Sequence, residues 1–132
     1  MKVLDEKVID LLTKEPLWWL GTYSNEPNVV PVGFKEVAED GTLIVGDVFL
    51  NHTLKNINEN GKIVVTAGGS NGMVAYQIKG TAVHVTEGPY VEKYKKVAET
   101  MFKGQVSAKG ALIITPEKVI VASPGPKNNM EM

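Results

Sequence analysis

The segment from Trp18 to Thr66 constrains the fold more than any other. Short runs rich in aromatic and β-branched residues alternate there with turn residues: LWWLGTY, SNEP, NVVPVGFKEVA, EDG, TLIVGDV. Such runs, bounded by Gly, Pro, Asn, Asp and Ser, read as strands joined by tight turns. The spacing predicts strands over 17–23, 28–38 and 42–48. A short polar helix follows, with Thr53 as its cap and Gly61 closing it, and then a fourth strand over 62–67. Strands that follow one another with such short turns read as antiparallel hairpins.

The rest of the chain fits that frame. Leu4, Val8, Leu11 and Leu12 share one face of a helix near 3–14, which Pro16 stops. Gly68–Gly72 reads as a hairpin tip, and 73–86 as a fifth strand broken at Gly80. Pro89 suits a first helical position, and Val91, Tyr94, Ala98 and Met101 give the stripe of a helix ended by Gly104. Residues 108–122 read as a last strand or strand pair, bent near Pro116. The tail SPGPKNNMEM reads as extended and polar. The expectation is one domain over 1–132, mainly β with flanking helices: an antiparallel six-stranded Greek-key split β-barrel. A barrel of that size is filled by its own side chains, so a ligand would sit outside it or between two copies.

Composition removes several classes. The 132 residues are 43% hydrophobic and 22% charged, with a net charge of −1. That is ordinary globular material, without a basic surface for nucleic acid. There is no cysteine, which excludes disulfides, thiolate metal sites and cysteine nucleophiles. No apolar run reaches the ~20 residues of a membrane helix. The N-terminus, MKVLDEKVIDLLTKEP, lacks the pattern of a secretory signal, and a cytoplasmic protein is expected. All 14 basic residues are lysines. No Walker loop, GxGxxG, Ser-His-Asp set or paired-carboxylate motif is present.

Asn51-His52-Thr53 follows a strand and opens a helix. Free amides at a helix start attract anions, Thr53 can cap the helix and touch a phosphate, and Lys55 adds charge in the first turn. The same triplet also reads as an ordinary N-cap. Pro31-Val32-Gly33-Phe34 interrupts a strand with one residue lacking an N–H and one lacking a side chain, so a flat ring could lie against the backbone, or the break is a bulge that closes the barrel. Asp47, beside Val48, either bonds a ligand N–H or caps the following turn. Trp18 and Trp19 point to opposite faces, one into the core and one to be covered from outside. His84 alternates with Ala82 and Thr86 and reads as a surface or interface histidine.

The segments LWWLGTYSNEPNVVPVGFKEV, GTLIVGDVFLNHTLKNINENGKIVVTA and YQIKGTAVHVTEGPYVEKYKKV resemble the pyridoxamine 5′-phosphate oxidase-like FMN-binding split-barrel superfamily, and more narrowly the small FMN-binding proteins of anaerobic bacteria. The resemblance implies a homodimer with two FMN molecules in clefts between subunits. Pro31, Val32 and Gly33 would line the flavin, with Asp47 and Val48 beside the ring system. Asn51, His52, Thr53 and Lys55 would hold the phosphate, and Ser70 and Asn71 would touch the cofactor from the hairpin tip. The resemblance implies an FMN-dependent oxidoreductase or electron carrier, reduced by NAD(P)H or a redox protein. Its true pyridoxamine phosphate oxidases hold phosphates with arginines; this chain has none, so vitamin B6 oxidation is not expected. The alternatives are a non-catalytic module for flavin, haem or deazaflavin, and a barrel without a ligand.

Overall fold

The structure is a computed structural model that describes residues 4–70 and 72–132. The elements run α1 (Glu6–Lys14), β1 (Trp18–Tyr23), β2 (Pro27–Val32), β3 (Lys35–Val37), β4 (Leu43–Asp47), α2 (His52–Asn60), β5 (Lys62–Gly68), β6 (Ala75–Val85), α3 (Pro89–Phe102) and β7 (Gly110–Val121). The strands form one antiparallel sheet in the order β2-β1-β5-β6-β7-β4-β3.

β2 and β3 are the two edges of this sheet, yet only Gly33 and Phe34 separate them in the chain. Laid flat, seven strands would hold those edges ~29 Å apart. The chain from Val32 to Lys35 can reach at most ~11 Å. The sheet therefore curls until its edges approach, giving a split barrel. The crossing is fixed where Gly46 N–H donates to Phe34 C=O over 2.8 Å. The strand expected over 28–38 is thus two strands, and the sheet has seven rather than six. The interruption at Pro31–Gly33 is where the chain passes from one edge to the other.

Alternation sends Trp18, Leu20, Leu43, Val45, Val65, Ile78, Leu112 and Ile114 into the barrel. Val8 and Leu12 of α1 join them, and Trp18 Nε1 donates to Leu12 C=O over 2.8 Å, which ties α1 to β1. Trp18 is fully buried whereas Trp19 is 43% exposed, the split that adjacent strand positions dictate. β4 is buried on both faces. Its outer residue Ile44 packs with Val91, Tyr94 and Ala98 of α3.

β6 is continuous through Gly80 and β7 through Pro116. A register shift lies between Lys79 and Gly80, where Lys79 faces Lys118 but Gly80 faces Pro116. A Cβ at Gly80 would lie 2.2 Å from Thr115 O, so the bulge requires glycine. The tail is not extended. It turns through 125–130, and its amides return to β7, with Asn129 N–H donating to Val121 C=O and Met132 N–H to Val119 C=O. Among the described residues no helix is long and apolar enough to cross a membrane.

Candidate functional site

α2 docks by polar contacts as well as by its buried Ile57. Asn56 Nδ2 donates to Thr22 Oγ1 over 3.0 Å, and Asn60 Nδ2 to Tyr23 C=O over 2.8 Å. Asn28 Nδ2 donates to Thr53 Oγ1 over 3.1 Å. Gly61 ends the helix in the left-handed region, φ 71°, where its N–H reaches Ile57 C=O.

The other end of α2 is open. Asn51 occupies the cap position, but its side chain makes no capping bond, and the first turn holds no acidic residue. Thr53 is therefore not the cap, as the sequence led one to expect. It lies inside the first turn, buried, with its hydroxyl taken up by Asn28. The first amide to find a helical carbonyl is that of Lys55, on Asn51 C=O at 3.1 Å. The N–H groups of His52, Thr53 and Leu54 precede it and have no acceptor within the helix. This end carries the positive pole of the helix dipole.

Asn51, His52 and Thr53 at this helix start line a cleft of about 430 Å³. The end of β2 with Gly33 and Phe34 forms one wall, and Gly46 with Val48–Asn51 forms another. Phe102, from the end of α3, completes it. Phe102 meets Phe34 edge-on, with centroids 6.1 Å apart, and Phe49 edge-on at 5.5 Å. One end of the cleft is thus aromatic and the other rich in donors. Behind it, the Tyr94 ring lies on Gly46 and the Tyr94 hydroxyl donates to Glu36 Oε1 over 2.9 Å. Burial, and then the Glu36 carboxylate, push the Tyr94 phenol far above its usual range, so it stays protonated.

Of the residues singled out from the sequence, Pro31, Val32, Gly33, Val48, Asn51, His52 and Thr53 line the cleft. Lys55 does not. It lies one turn along α2, exposed, in an adjoining hollow that shares Asn28 and His52 with the cleft. Asp47 is fully buried and outside the lining; its Oδ1 accepts the Leu50 N–H at 3.1 Å, the turn-capping alternative. Ser70 lies outside the lining as well, and its hydroxyl and amide donate to the buried Glu15 carboxylate. Asn71 is outside the described residues. His84 is not a free surface group: its side chain is 14% exposed and its Nε2 lies 3.0 Å from Asp47 Oδ2.

Sequence reasoning missed Asn28, Phe49 and Phe102 as lining residues. Asn28 could have been found as a polar residue at an inward-alternating strand position near a turn. Phe102 carried no signal, because its approach depends on how α3 lies across the sheet. No group of three metal-binding side chains occurs among the described residues.

The sequence matches the Pyridoxamine 5′-phosphate oxidase family over residues 4–124, and the chain belongs to that family. An uncharacterized protein of Methanocaldococcus jannaschii is 34% identical over 127 residues, which span 93% of this chain and 83% of that one. The crystal structure of HupZ from Group A Streptococcus is 28% identical, with a TM-score of 0.76, covering 92% of this chain and 96% of that one. An FMN-binding protein from Syntrophomonas wolfei subsp. wolfei also superposes with a TM-score of 0.76, over 91% of this chain and 86% of its own. At 21% identity, that likeness establishes the shared fold.

Proposed function

We propose that this chain binds FMN in the cleft and serves as a flavin-dependent oxidoreductase or electron-transfer protein. The observation that carries this reading is the pairing of an uncapped helix start with an aromatic and aliphatic wall in one cleft. A phosphate fits the amides of His52 and Thr53, with the Thr53 hydroxyl beside them and Lys55 contributing charge from one turn away. A flat ring fits against Pro31–Gly33, where the backbone is bare, and against Val48. Family membership and the FMN-binding protein from Syntrophomonas wolfei support the same ligand.

Bound FMN would supply hydride and electron chemistry that no side chain of this protein offers. The protein's own part is to bind, orient and exclude water. The Asn28–Thr53 bond presents the first turn of α2, and the apolar wall keeps one face of the ring dry. The chain has no arginine for a second phosphate, so the family's namesake substrate is not proposed. A second copy of the chain closing the cleft is part of the proposal, and the 68% exposure of Phe49 at the rim is consistent with it.

The test is the visible spectrum of the protein as purified, repeated after heat release, with NAD(P)H added to the native sample and sedimentation in parallel. Flavin bands matching FMN, bleached by the nucleotide or by a reduced redox protein, in a dimer, are expected. A Soret band would overturn FMN in favour of haem, and a flavin-bound monomer would overturn the shared cleft.

A further inference from the structure

The wall Val48–Asn51 is held from behind by charged groups that do not themselves line the cleft. Leu50, in the middle of it, is fixed at both backbone groups. Its N–H donates to Asp47 Oδ1 over 3.1 Å, and its C=O accepts from Lys109 Nζ at 2.7 Å. Lys109 is fixed in turn, because its own N–H donates to Asp47 C=O over 2.7 Å and its Nζ lies 3.8 Å from Asp47 Oδ1. The remaining carboxylate oxygen of Asp47 lies 3.0 Å from His84 Nε2.

His84 reaches Asp47 across an intervening strand. Asp47 is on β4 and His84 on β6, and β7 runs between them with Gly110 opposite Asp47. A Cβ at Gly110 would lie 2.6 Å from His84 Nε2 and 2.3 Å from Val85 O. Glycine there opens the path by which the imidazole crosses β7. A carboxylate that is fully buried must have its lone pairs engaged, and here an amide takes one oxygen and an imidazole the other, with the Lys109 ammonium close by as a counter-charge.

We infer that Asp47, Lys109 and His84 form a clamp on Leu50 that positions the Val48–Asn51 wall and, through it, the start of α2. Asp47 and Lys109 are then positioning residues, not cofactor ligands. Asp47 is buried outside the cleft lining and Lys109 spends its ammonium on a backbone carbonyl. The consequence for FMN rests on the function proposed above, whereas the clamp itself does not.

The experiment compares wild type with Lys109→Met and Lys109→Arg. Met keeps the apolar stem and removes the ammonium, and Arg restores a charged donor. In the ligand-free protein, amide hydrogen exchange by NMR should quicken about tenfold at Leu50 in Lys109→Met, the effect of losing one charge-assisted bond. Val65 in β5 should be unchanged, and Lys109→Arg should recover most of the protection. FMN titrated into the same proteins should bind Lys109→Met about tenfold more weakly and Lys109→Arg nearly as wild type. Unchanged exchange at Leu50, or equal quickening in β5, would overturn the clamp. Local quickening with unaltered FMN affinity would overturn the positioning role. If wild type binds no FMN, the flavin reading fails by itself and the exchange result still decides the clamp.

Discussion

Asn28 on β2 and Thr53 on α2, 25 positions apart, are joined by a 3.1 Å hydrogen bond in which Thr53 Oγ1 accepts. The hydroxyl hydrogen of Thr53 is therefore directed elsewhere, and the cleft is the space beside it. The same contact locks the first turn of α2 to the β1–β2 hairpin. One residue thus links the shape of the cleft to its polar end.

Thr53→Ala should weaken FMN about tenfold, because a hydrogen bond to a charged phosphate is lost. Riboflavin, which has no phosphate, should lose much less. The apo protein should lose about 1 kcal/mol from the broken Asn28 contact. Flavin fluorescence titrations and urea denaturation measure the two effects.

Phe102→Leu makes the opposite pattern. The substitution removes the edge contacts to Phe34 and Phe49, worth about 0.5–1.5 kcal/mol per pair beyond area burial. It lies on the aromatic side, so FMN and riboflavin should weaken by equal factors. A loss confined to FMN would contradict the assignment of the ring to this end.

Much of this fold could be read locally. Trp18 and Trp19 divide between core and surface as alternation requires, and Pro89 and Gly61 mark helix ends where backbone chemistry puts them. The break after Val32 was visible as Pro31 and Gly33. That β2 and β3 become opposite edges was not visible, because it depends on which distant strands pair. The cleft was half legible for the same reason. Its contiguous pieces, Pro31–Gly33 and Val48 with Asn51–Thr53, stood out as strand ends, whereas Phe102 arrives only through the packing of α3. Asp47 stood out as a polar strand end, but its partner His84 lies two strands away in the sheet, across Gly110.

Gly46→Ala should destabilise the protein by about 1–3 kcal/mol, the usual cost of overpacking. Its Cβ would lie 2.5 Å from Cγ of Tyr94, so the ring must shift and strain its bond to Glu36. Thermal denaturation reads the loss, and the double variant Gly46→Ala with Tyr94→Leu should recover part of it.

The turn between β3 and β4 gives a pH dependence. Asp40 Oδ1 accepts from Thr42 Oγ1 at 2.7 Å and Thr42 N at 3.0 Å, and these bonds hold its carboxyl below the usual carboxylate range. Its folded pKa is lower than its unfolded one, so the folded state binds fewer protons. The stabilisation is present above the ordinary carboxylate pKa and disappears as pH falls through the folded value. Asp40→Asn should therefore melt below wild type at pH 7, and the two curves should converge in strong acid. A gap that persisted there would assign the effect to something other than charge.

The central claim is that the cleft holds FMN by its phosphate at the start of α2. The most direct measurement is a pair of titrations on ligand-free protein, FMN and riboflavin, followed by flavin fluorescence. FMN binding at least tenfold tighter than riboflavin, with the difference removed by Thr53→Ala, is the result this account predicts. Equal affinity for the two flavins, or no binding of either, would contradict it.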